Sequence, residues 1–180
     1  DLKTRKTEAL KEARVIHLAL YKNKRNLYPY DVHHLTVHDY INFSQIMKPY
    51  LRPRYGGIDT LELWMDGYAR YLSDCGETSL TMKGLYSTCS LEELGQAIID
   101  EIDKGYPVPY LNLRHTNPNL ADYVWHWFWL AGYMEYSDTV MVKLVSYGSF
   151  RWFSLEELWH TGYRRKGGII LFDQSKKVSC

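Results

Sequence analysis

The sequence predicts an α+β protein. Three observations carry this expectation: apolar residues at helical spacing dominate the first half, the period shortens to β-type runs after Tyr106, and turn residues separate those runs as they separate antiparallel strands. At 180 residues, a single domain over 1–180 is expected, long enough to bury a sizeable core.

The elements follow in order. From Thr7 to about Lys24, Leu10, Ala13, Ile16, His17, Leu20 and Tyr21 recur on one face with charged residues opposite, the pattern of an amphipathic helix. Pro29 and Asp31 mark turns. Thr36, with Asp39 three residues on, reads as a capping box opening a short helix through Met47. Pro49 to Asp59 reads as a loop, with Pro49, Pro53 and the pair Gly56-Gly57. Asp59 or Thr60 then caps a helix that buries Leu61, Trp64, Met65, Tyr68 and Leu72. Ser90 and Glu93 form a second capping box, followed by apolar Leu94, Ala97, Ile98 and Ile102. Lys104-Gly105 closes that helix with a cation for its negative end and a glycine for a left-handed cap.

Strands come next. Residues 106–113, YPVPYLNL, read as a strand at a sheet edge, because Pro107 and Pro109 cannot donate ladder hydrogen bonds. YVWHWFWLAGY, 123–133, is a second strand, TVMVKLVSY from Thr139 a third and GGIILF from Gly167 a last one. Between the third and the last, Ser154-Leu-Glu-Glu-Leu opens a short helix through His160. The expected architecture is N-terminal helices packed on an antiparallel sheet of about four to six strands.

Composition narrows the function. The 22 Lys+Arg balance 21 Asp+Glu, and no segment gathers basic residues among aromatics, which argues against a nucleic-acid partner. The 16 tyrosines put apolar area and a polar tip on one side chain, as wet clefts and interfaces require. Cys75, Cys89 and Cys180 form no CxxC pair and read as free thiols. His34 and His38 are four apart, but the helix start at Thr36 lies between them, so no metal site and no cofactor is expected. No apolar run reaches the roughly 18 to 20 residues of a membrane span. The chain opens at Asp1 without a signal peptide, as a processed form or an excised fragment would. Free cysteines suit the cytoplasm, and the tyrosine-rich composition suits export.

His126 stands inside the most apolar stretch of the chain. A buried neutral imidazole costs a few kcal/mol to desolvate unless it finds partners, so it is either satisfied locally or kept for chemistry. The order SLEELGQAIIDEIDKGYPVPYLNL, then HWFWLAGY, then a strand, then FRWFSLEELW resembles the C-terminal half of bacterial papain-like cysteine peptidases of the C39-like group, over roughly residues 60–172. The resemblance implies a papain-like fold and places His126 as the general base.

Thiol chemistry of that kind needs a cysteine at a helix N-terminus and an Asp or Asn that orients the histidine. The resemblance would put the cysteine near Leu10, where none stands, and the orienting acid in Leu144-Val145-Ser146-Tyr147-Gly148, which offers no carboxylate. Asp74-Cys75-Gly76-Glu77-Thr78-Ser79-Leu80-x-Met82 resembles the nucleophile segment itself, with Cys75 opening a helix. Two functions are therefore expected in order. The first is a degenerate, non-catalytic papain-like domain that binds or scaffolds a protein partner. The alternative is an active cysteine peptidase or amidohydrolase acting on a peptide or small amide, with His126 as base and Cys75, or a cysteine upstream of Asp1, as nucleophile.

Overall fold

The computed structural model describes residues 27–31, 33–136 and 138–174. The helix expected from Thr7 to Lys24 and the thiol of Cys180 lie outside the described residues. The chain divides by its contacts into two compact units. Of the described residues, 27–58 and 63–80 belong to the first, and Asp59–Glu62 with Thr81–Gln174 to the second.

In the first unit, helix α1 (Val37–Leu51) opens at Thr36 with the expected capping box: Asp39 N–H donates to Thr36 Oγ1 at 3.2 Å, and Thr36 N–H donates to Asp39 Oδ2 at 3.0 Å. The helix runs past Met47 and takes Pro49 into its last turn. It stops at Arg52, whose left-handed φ of 45° lets its N–H reach Lys48 O. Helix α2 (Leu61–Asp74) begins where Asp59-Thr60 predicts. Gly67 marks its crossing with α1, because a Cβ there would stand 2.8 Å from Tyr50 O and Leu51 Cα. Around that crossing Ile46, Met47, Tyr50, Tyr71 and Cys75 are buried together.

The second unit is an antiparallel sheet with two helices on one face. The strands are β1 (Leu80–Tyr86), β2 (Val108–Asn112), β3 (His126–Glu135), β4 (Val140–Ser146), β5 (Ser149–Ser154) and β6 (Gly167–Gln174), in the spatial order β1-β6-β2-β3-β4-β5. Helix α3 (Leu91–Asp103) has the Ser90–Glu93 capping box, and the short α4 (Leu155–Trp159) starts at Ser154. Leu94 and Ile98 of α3 and Leu155, Leu158 and Trp159 of α4 meet Tyr110, Phe128, Leu130, Val142, Leu144 and Ile169 of the sheet in one core. Burying side chains of this size is worth about 1.5–3 kcal/mol each before entropy is counted, so this cluster holds the sheet and its helices together.

Two sequence expectations change here, and one strand is added to those expected. The run 106–113 is not an edge: β2 lies between β6 and β3 and is buried throughout. Pro109 is tolerated because the β6 ladder begins only at Tyr110. Leu80 to Tyr86, read as the continuation of a helix after Cys75, is a strand, held to β6 by the Thr81 hydroxyl donating to Asp173 O at 3.2 Å. The segment around Phe150 is a full strand, turned back on β4 by the two-residue loop Tyr147-Gly148.

Candidate functional site

His126 is the first residue of β3. The chain reaches it through a 3-10 helix (Pro118–Tyr123), capped by the Asn117 side chain, which accepts from Asn119 N–H at 2.9 Å. Two residues then bring the chain into the sheet, the second being Trp125 with φ of 53°. On the neighbouring strand, β4 ends at Ser146 and turns at Tyr147 (φ 51°) and Gly148 (φ 72°). Two consecutive left-handed residues make a type I′ hairpin turn, which normally selects Asn, Asp or Gly. A bulky aromatic residue at positive φ is an outlier, and such strain collects at functional positions. Both bulky outliers of the second unit's described residues, Trp125 and Tyr147, flank His126.

The Tyr147 ring lies flat on the imidazole, with centroids 4.5 Å apart and planes 12° from parallel. Its hydroxyl stands 3.3 Å from His126 Nδ1 and donates to Asp122 O at 3.3 Å. Ser146 Oγ is 2.7 Å from His126 Nε2. One proton arrangement satisfies all three contacts. Tyr147 gives its single proton to the Asp122 carbonyl and accepts from Nδ1–H, leaving Nε2 to accept from Ser146. Burial pushes the His126 pKa below the ordinary histidine value.

A hydroxyl donating to an imidazole is the first half of a nucleophile–base pair. The second half, a charge behind the base, is not supplied among the described residues. The group at Nδ1 is a neutral phenol, so an imidazolium formed here would lack the carboxylate that stabilises it in a triad. The lowered pKa further weakens His126 as a base.

Cys75 belongs to the first unit and directly follows the C-terminus of α2, with its N–H donating to Tyr71 O at 3.0 Å. That is the negative end of the helix dipole, which opposes a thiolate, whereas nucleophilic cysteines sit at the positive end. Burial raises the Cys75 pKa, the Tyr71 hydroxyl offsets part of this, and the Asp74 carboxylate adds to it. Burial also raises the Cys89 thiol, with the Glu93 carboxylate adding to it. Among the described residues, burial and a neighbouring carboxylate both disfavour the thiolate of each.

Sequence reasoning named the segment holding Ser146 and Tyr147 only for what it lacked. The signal was Tyr-Gly between two β-type runs, the spacing of a two-residue hairpin that would swing both side chains back to β3. It also passed over Asn112, which pairs with His126 across β2 and β3. The Asn112 side chain is fully buried, and neither of its amide atoms meets a partner among the described residues. A separate recess of about 190 Å³ in the second unit is lined by Glu62, Tyr86, Ser87 and Leu113 and flanked by an Arg165–Asp59 ion pair at 3.8 Å. Among the described residues no group of three His, Cys, Asp or Glu side chains is placed to hold a metal ion, and His34 is bonded through Nδ1 to Asp31 at 2.7 Å. No helix of the described residues is long and apolar enough to cross a membrane. No protein-family model matches the chain, nor does any curated protein or solved structure.

Proposed function

We propose that this chain is a papain-like domain of the C39-like group without thiol catalysis, which binds a peptide segment or a protein partner at the surface around His126. The sequence order of helix, strand, histidine strand and Ser-Leu-Glu-Glu-Leu helix supports the family, and the α+β architecture is consistent with it. The observation that carries the reading is the occupancy of His126. Both ring nitrogens are met by hydroxyls, Ser146 at 2.7 Å and Tyr147 at 3.3 Å, and the stacked Tyr147 covers one face of the ring. Exposed Trp125 and Tyr147 beside the histidine offer the amphipathic aromatic area that binding surfaces use.

The test is thiol reactivity. Alkylation of Cys75 and Cys89 by iodoacetamide is followed by peptide mass spectrometry from pH 4 to 9, in the native protein and in His126→Ala. Both thiols are expected to react as ordinary or suppressed thiols and to ignore the substitution. A fluorophosphonate probe is expected to leave Ser146 unlabelled. Rapid alkylation of Cys75 at acid pH that vanishes in His126→Ala would overturn the proposal and restore a cysteine peptidase or amidohydrolase.

A further inference from the structure

We infer that the chain forms a two-fold dimer through antiparallel pairing of β5 with β5 of a second copy, joining two sheets into one. The inference starts from strand order. β5 is the last strand of the sheet, and among the described residues only β4 pairs with it. An edge strand carries a row of unused N–H and C=O groups and templates further pairing unless the chain blocks it with proline, a bulge or charge on the exposed face. β5 has no proline, its register with β4 is unbroken from Ser149 to Ser154, it carries Phe150, Trp152 and Phe153, and its one charged residue, Arg151, lies on the sheet face opposite Phe150 and Trp152.

Register fixes which groups face outward. Ser146 and Ser149 flank the two-residue turn and exchange ladder bonds, so Ser149, Arg151 and Phe153 bond towards β4. The N–H and C=O groups of Phe150 and Trp152 then point to the open side. The same two residues put their side chains on the sheet face opposite the helices, with 57% of Phe150 and 36% of Trp152 exposed. Backbone valence and apolar surface thus coincide along one line.

Centres on Arg151 and Trp152 pair more of the strand (Ser149–Ser154) with its counterpart than centres on any other residue do. A two-fold axis normal to the sheet keeps each face with its own kind, so the centre of pairing must fall on a residue. Centring on Arg151 sets two guanidinium groups against each other, which is repulsive. Centring on Trp152 makes Trp152 and the partner's Trp152 a hydrogen-bonded pair, using the groups that point outward. It sets Phe150 opposite the small Ser154 of the partner subunit. On the other face Arg151, which already stands over its own Phe153 ring at 5.3 Å, meets the partner's Phe153 as well. Lys143, over the Phe150 ring at 4.2 Å, stays one strand back from the seam. No like charges are opposed, and the contact closes on itself.

Sedimentation equilibrium on the native protein measures the association. A dimer is expected, and Trp152→Lys and Phe150→Lys are each expected to weaken it by roughly thirtyfold or more, the effect of losing a central aromatic anchor, with far-UV circular dichroism unchanged. Register is tested by Trp152→Cys. Paired Cα atoms at a hydrogen-bonded position stand about 5.5 Å apart, within reach of a disulfide, so peptide mapping after mild oxidation is expected to find the introduced thiol linked to its counterpart in the second copy. Ser149→Cys, at the end of the strand beside the turn, is expected not to cross-link. A native protein that stays monomeric across the accessible concentrations would overturn the inference, as would a dimer indifferent to both lysine substitutions.

Discussion

Tyr147 holds a backbone conformation that its side chain disfavours, and its ring lies on His126. These two facts are separable by substitution. Asn tolerates the left-handed region and Asn-Gly is the preferred pair for this turn, so Tyr147→Asn is expected to raise stability by about 1 kcal/mol. The same change uncovers the imidazole, so the His126 pKa is expected to rise towards its ordinary value. Urea unfolding and NMR titration of the imidazole protons read the two effects independently. An unchanged titration would mean that the stack does not set the environment of His126.

The lowered pKa of His126 also has a sign in stability. The unfolded chain takes up the proton first, at about pH 6.5, while the folded chain resists until lower pH. The contribution of His126 is therefore complete above the unfolded value and is lost as pH falls from there through the folded pKa. His126→Gln is expected to flatten the stability profile in that window. The carboxylates of Asp39 and Glu93, lowered by their capping-box hydrogen bonds from Thr36 and Ser90, act in a separate window. Their stabilisation is lost only as pH falls below the ordinary carboxylate range. Denaturation midpoints between about pH 7 and 5 in both proteins measure the difference. Parallel slopes would assign the acid sensitivity to other groups.

Among the elements, α3 is tied to β6 by one buried carboxylate. Glu101 is 1% exposed, its Oε1 accepts from Phe172 N–H at 2.5 Å, and Lys104 Nζ stands 3.6 Å from its other oxygen. Removing the acceptor takes from a buried strand N–H the group it donates to. Glu101→Ala is expected to cost about 2–3 kcal/mol, and Glu101→Gln, which keeps a carbonyl acceptor, clearly less. Urea midpoints decide, and a Glu101→Ala protein as stable as the native one would sink this account. The helices themselves were legible in the sequence, because Thr36–Asp39, Ser90–Glu93 and Ser154 act on amides three residues away. The turn at Tyr147-Gly148 was less so, since tyrosine is not a residue that such a turn selects.

For the whole molecule, the α+β class followed from periodicity, and so did the core face of α3 at Leu94 and Ile98. Sheet order did not. β6 inserts between β1 and β2, and β2 becomes a buried inner strand despite Pro109, because pairing is settled by contacts between residues far apart in the chain. The same holds for the open edge at β5, from which the dimer was inferred. Taken alone, the sequence determined where helices start, where the period changes and which residues are apolar on one face, since these are fixed by interactions within a few residues. Only the tertiary structure decided the chemistry of the site. It put Cys75 at the C-terminal end of a helix, and it brought Ser146 to His126 across a sequence separation of 20. Strand register sets such meetings, and a change of one residue in register would have turned Ser146 to the opposite face.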